Sequence, residues 1–121
     1  MLLGLDISTS ITGATVLDDN GKVLYCEAWD LRNKNHFPDL FSKASRIKNH
    51  ILDLSIQFNI EHIFIEQSLQ AFRAGFSSAK TLLTLAKFNG IISYICQNDM
   101  EVEPEYIGAS TARKSNGIKI P

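Results

Sequence analysis

The apolar pattern changes period once, near residue 39, and that change sets most of what the chain can fold into. Before it, apolar residues come in short runs suited to strands. Leu2–Ile7 is one such run, with Gly4 inside it, and Thr12–Leu17 is a second. Lys22–Trp29 alternates, with Val23, Tyr25 and Glu27 on one face and Leu24, Cys26 and Ala28 on the other. Asp18-Asp19-Asn20-Gly21 separates the second run from the third, and Asn-Gly is a strong hairpin signal. Residues 30–38 are polar and read as a loop. From Asp39 onward Leu40, Ala44, Ile47, Ile51, Leu54 and Phe58 recur at steps of three and four, the mark of an amphipathic helix that Asn59 stops. Glu61–Glu66 predicts a fourth strand. Ser77 or Ser78 is placed to cap a second helix, in which Ala79, Leu82, Leu83, Ala86, Ile91, Tyr94 and Ile95 keep helical spacing. Glu101–Ile107 predicts a fifth strand. Three antiparallel strands followed by helix, strand, helix and strand predict an α/β fold: a mixed five-stranded sheet with helices on its faces.

Two acids stand where this order gives them meaning. Asp6 closes the first apolar strand and Glu66 closes the fourth. If those strands pair in parallel, both carboxylates reach one sheet rim, where open α/β sheets gather their ligands. Converging carboxylates repel unless a cation or a proton intervenes. Magnesium suits such a place because it prefers hard oxygen ligands and keeps waters of its own. Taken singly, Asp6 reads equally well as a turn-capping acid, and Glu66 as a solvated strand end.

The remaining chemistry is sparse. Formal net charge is -1, so no overall positive field points to nucleic acid; a local basic face is still compatible with that total. Cys26 and Cys96 are far apart, form no Cys-x-x-Cys pair, and read as buried thiols. His36, His50 and His62 share no metal-ligand spacing, and Ser8, Thr9 and Ser10 have no neighbouring histidine to activate them. No basic leader precedes the first strand and no run approaches a membrane span, so the expected location is cytoplasmic, with no membrane partner.

The stretch Leu3-Gly4-Leu5-Asp6-Ile7-Ser8-Thr9-Ser10-Ile11-Thr12-Gly13-Ala14 resembles the opening strand and turn of RuvC-type Holliday junction resolvases, which share the ribonuclease H-like fold. Ile63-Phe64-Ile65-Glu66-Gln67 is similar to their second acidic strand, and the helix with Ala79, Leu85, Ala86 and Gly90 to the one that follows. Val102–Ile107 resembles their next strand and Thr111-Ala112-Arg113-Lys114 the basic segment after it. The resemblance implies an endonuclease that resolves four-way DNA junctions by phosphodiester hydrolysis. It implies Asp6 and Glu66 as catalytic metal ligands, two Mg2+ or Mn2+ ions per complete site, and a homodimer joined through the Ser78–Gln97 helix. Arg73, Lys80, Lys87, Arg113, Lys114 and Lys119 are the candidate DNA contacts, with Phe72 and Phe76 as a wedge or base-stacking pair. Each cation reads as ordinary surface charge when taken alone.

The resemblance has one departure. The family pattern adds one or two aspartates on a final helix, and no acid follows Glu105 here. The chain therefore reads as a fragment of a longer protein, a single ribonuclease H-like nuclease domain over 1–121 that lacks its C-terminal acidic helix and cuts poorly as it stands; the alternatives are a site completed differently or a domain that does not cut. Two rival readings remain. One is a non-catalytic ribonuclease H-like module for DNA binding or assembly. The other is a phosphate-binding lobe of sugar-kinase or actin-like type, since Gly4–Ser10 before a hairpin also resembles their first phosphate turn.

Overall fold

A computed structural model describes residues 1–67 and 78–108 of the chain. Among these residues five strands and two helices follow in the expected order: β1 (Leu2–Asp6), β2 (Ile11–Leu17), β3 (Val23–Asp30), α1 (Leu40–Gln57), β4 (His62–Gln67), α2 (Ala79–Asp99) and β5 (Glu105–Gly108). The sheet order is β3-β2-β1-β4-β5. β1–β2 and β2–β3 pair antiparallel, while β1–β4 and β4–β5 pair parallel.

Two parallel crossovers then decide where the helices go. β3 runs parallel to β4, because each lies parallel to β1, and β4 runs parallel to β5. Both crossovers step across the sheet in the same direction. Right-handed connections therefore put α1 and α2 on the same face. That face carries the core. Leu3, Leu5, Ala14, Val16, Ile63 and Ile65 from the sheet meet Ala44, Ile47, Ile51 and Leu54 of α1 and Phe88, Ile92, Ile95 and Cys96 of α2, all of them buried. Each large apolar side chain so buried contributes roughly 1.5–3 kcal/mol.

Local signals set the helix starts. Asp39 caps α1 with a reciprocal box: its carboxylate accepts from the Ser42 amide at 2.8 Å, and its own amide donates to Ser42 Oγ at 3.3 Å. Ser78 caps α2, accepting from the Thr81 amide. In the β2–β3 turn Gly21 takes φ +84, and Asp18 closes the loop by accepting from the amides of Asn20 and Lys22.

Three expectations need correction. The fifth strand spans Glu105–Gly108 rather than starting at Glu101. Glu101 turns through a positive φ and the Val102 amide bonds back to Cys96, so these residues finish the helix; Pro104, with no amide hydrogen, stands just before the strand. The buried stripe of α2 is Phe88, Ile92, Ile95 and Cys96, whereas Leu83 and Tyr94 are exposed. Cys26 is exposed on the face opposite α1 and α2, and Cys96 is buried. Burial pushes the Cys96 thiol up to about 12, so it stays protonated and inert.

Candidate metal centre

Strand alternation sends Leu3, Leu5, Ile63 and Ile65 into the core and turns their neighbours the other way. Asp6 and Glu66 are register partners on the parallel pair β1–β4, so both side chains leave the sheet on the face opposite α1 and α2. Their Cα atoms are one strand spacing apart, about 4.8 Å. The position is also a topological switch point. The chain leaving β1 turns toward β2, while β5 lies on the far side of β4. A crevice between strand ends that diverge in this way is where open α/β sheets hold ligands.

Two local features shape the ground around Asp6. Partial burial raises its carboxyl pKa above the usual 3.8, which marks a charge held without enough solvent. On its other flank Asp6 pairs with Gly13 of β2, where an added Cβ would lie 3.7 Å from Asp6 Cβ. The glycine leaves that flank of the carboxylate open to a cation or a phosphate oxygen.

The turn after Asp6 is tied down from three directions. Thr12, fully buried, accepts the Ser8 amide at 3.2 Å and donates its hydroxyl to the Ser8 carbonyl at 2.8 Å. The Leu31 amide donates to the Ser10 carbonyl at 2.7 Å. From α1, Lys43 Nζ donates to the Thr9 carbonyl at 2.6 Å. Lys43 and Gly13 escaped the sequence reading. No short spacing signals a contact 34 residues long, and a glycine inside a strand looks merely permissive.

The donor set fits a hard divalent cation: two carboxylates, one register position, room on one side and no soft ligand. Among the described residues no third His, Cys, Asp or Glu joins them. Lys80 and Lys87 are exposed on α2, two turns apart on one side of the helix. Phe72, Arg73, Phe76, Arg113, Lys114 and Lys119 lie outside the described residues.

No protein-family model matches the sequence, and no curated protein matches it. Solved structures do match. T. thermophilus RuvC in complex with a Holliday junction substrate superposes with a TM-score of 0.75 at 12% identity, covering 94% of this chain and 68% of that one. The fold is the ribonuclease H-like fold of RuvC. A second Thermus thermophilus RuvC structure matches at TM-score 0.66 and 12% identity, over 96% of this chain and 66% of the other. The yeast mitochondrial Holliday junction resolvase Ydc2 matches at 0.56 and 16% identity, over 97% and 54%. This chain spans about two thirds of the RuvC chains and about half of Ydc2. Among its described residues no helix is long and apolar enough to cross a membrane.

Proposed function

We propose that this ribonuclease H-like chain is a divalent-metal-dependent, structure-selective DNA endonuclease acting on four-way junctions. The observation that carries the reading is the register pair Asp6–Glu66 at the switch point of a RuvC-type sheet. In this reading Asp6 and Glu66 hold Mg2+ or Mn2+. When bound, the cation supplies Lewis-acid stabilisation of charge on the scissile phosphate. The two acids set the place of the cut, Gly13 keeps space for the phosphate, and Lys43 fixes the turn beside it. Lys80 and Lys87 contact the DNA backbone, joined by Arg73, Arg113, Lys114 and Lys119, with Phe72 and Phe76 at the branch. The working unit is a homodimer joined through α2, whose exposed Leu83 and Tyr94 offer apolar contact.

The test is cleavage of an end-labelled four-way junction by the full-length protein with Mg2+ or Mn2+. Cutting should need metal, prefer the junction over linear duplex, and vanish in Asp6→Asn and Glu66→Gln while junction binding persists. Cutting that survives either substitution would overturn the assignment. A non-catalytic DNA-binding module is the second reading, favoured because two carboxylates stand together without a third among the described residues. Tight junction binding with no cleavage under either metal would select it. The phosphate-lobe reading loses ground at the β1–β2 turn, where the Ser8 and Ser10 amides already donate to Thr12 Oγ1 and Ser8 Oγ.

A further inference from the structure

A second cluster lies away from the acids, where β3 runs out toward α1. An open groove of about 550 Å3 is lined by Asp30, Arg32, Asn33, His36, Phe37 and Arg46. Its two guanidinium groups are held in place before any ligand arrives. Arg32 donates to Asp30 through Nε at 2.9 Å and Nη2 at 2.7 Å, and Asp30 also accepts the Arg32 amide. Arg46 lies over the Phe37 ring, 5.4 Å from its centroid. The loop between them is closed by Asn33, whose side chain accepts from the Asn35 and His36 amides.

The donor inventory then points outward. A guanidinium carries five N–H donors, and the fork to Asp30 uses two of those on Arg32. Arg46 meets no carboxylate within ion-pair distance among the described residues. One carboxylate against two guanidinium groups leaves the groove net positive. Arginines fixed by stacking and forked pairing lose little further freedom on binding, and their geometry suits phosphate. The groove is too open to enclose a small molecule, so it fits a chain that passes through.

Its location gives the chain a direction. Asp30 pairs with Ile11, two residues from Gly13 on the same strand, so Asp30 leaves the sheet on the face that carries Asp6, while Arg46 reaches the groove from α1 on the opposite face, around the β3 edge. Two strand spacings and two residues of rise put it about 12 Å from Asp6, at the same rim. We propose that the Arg32–Arg46 groove is a phosphate subsite for the backbone of a nucleic-acid strand, a few nucleotides from the bond held at Asp6 and Glu66. This rests on the nuclease reading for its position and on the groove itself for its ligand.

The test measures binding of a fluorescein-labelled four-way junction and a linear duplex by anisotropy across a salt series, using the full chain. Arg46→Ala should lower the slope of log K against log[salt] by about 0.9, one phosphate's worth, on both DNAs. Affinity should fall on the order of tenfold at low salt, with Arg46→Lys recovering part of it. The melting temperature of Arg46→Ala should fall by no more than about 4 °C, the worth of its contact with Phe37. A methylphosphonate scan of the junction should reveal one linkage that weakens the parent and leaves Arg46→Ala unchanged. Unchanged slope and affinity in both Arg46→Ala and Arg32→Ala overturn the subsite, and Asp6-dependent cleavage would still support the nuclease. Arg46-dependent binding without junction preference or cleavage supports the subsite and overturns the nuclease. Binding to neither DNA overturns both.

Discussion

Replacing Asp6 by asparagine should make the metal-free protein more stable, and the size of that gain follows from the register. Two charges taken at one strand spacing, about 5 Å, would repel by about 3 kcal/mol at an effective dielectric of 20, and by about 1 kcal/mol in water. Asp6 is exposed as a residue and so stands nearer the watery limit, leaving about 1 kcal/mol. A chain of 121 residues has an unfolding entropy of about 0.25 kcal/mol/K, so 1 kcal/mol is about 4 °C in melting temperature. Asp6→Asn should therefore melt about 4 °C higher at pH 7 in EDTA. The pH dependence has a fixed sign. Burial raises the folded-state pKa of Asp6 above 3.8, so folding disfavours its charged form. That penalty is full above the raised pKa and disappears below 3.8, and the advantage of the variant should shrink as pH falls toward 4. Magnesium at ten times its dissociation constant should stabilise the parent by about 1.4 kcal/mol, or about 6 °C, and leave Asp6→Asn unmoved. Differential scanning fluorimetry with and without Mg2+ reads both effects. A variant that melts below the parent in EDTA, or that gains as much from Mg2+, would refute the idea that Asp6 is strained to hold a cation.

Gly13 gives a steric counterpart. Gly13→Ala should keep metal stabilisation, because a Cβ there makes only ordinary contact with Asp6, whereas the branches of Gly13→Val should crowd the carboxylate and abolish the Mg2+-dependent shift and the cutting. Lys43→Met should cost about 1 kcal/mol by removing the charged donor to the Thr9 carbonyl, lowering the melting temperature by about 4 °C and weakening Mg2+ binding several-fold through the loosened turn. His50 stacks on Trp29 with ring centroids 4.6 Å apart, and burial, aided by the Arg46 charge and opposed by Asp53, lowers its pKa below 6.5. Its neutral form contributes stability above pH 6.5 that is lost as pH falls through the lowered value, so His50→Gln should flatten the denaturation midpoint between pH 6.5 and 5, followed by fluorescence of Trp29, the one tryptophan.

The sheet was legible because its strands differ in how they bury. β2 alternates Thr12, Ala14 and Val16 inward, and β1 and β4 place Leu3, Leu5, Ile63 and Ile65 the same way, but outward Leu2 and Phe64 are apolar too, so the runs marked strands without assigning faces. α1 was legible through its apolar stripe at steps of three and four, while its Asp39 cap was not singled out. α2 was less so. Leu82, Leu83, Leu85, Phe88, Ile91, Ile92 and Tyr94 make it apolar almost all round, and no period can then choose which side faces the sheet. The start of β5 was overrun because Val102 looks like a strand residue, while its amide is spent closing α2. For the site, Asp6 and Glu66 were legible as strand ends. Their shared register was not, since it depends on how β1 and β4 slide against each other. The tether from Lys43 and the groove at Arg32 and Arg46 arise from contacts between distant segments, which no local pattern encodes.

This fold places its packed core and its candidate site on opposite faces, and handedness is the reason. Both crossovers pass to the same side, so that side holds the packed core and can tolerate no charge without a partner. The other face of the central strands inherits every residue that alternation denies to the core, among them Asp6, Gly13 and Glu66. A carboxylate there stays close enough to the sheet to be poorly hydrated and far enough from the core to meet a solvated ligand. Moving the same acid one residue along the chain, to Leu5 or Ile7, would bury it among apolar side chains; moving it earlier, to Gly4, would retract it from the rim where the strands diverge. On this sheet position 6 is therefore the place where a strained carboxylate costs least and reaches furthest.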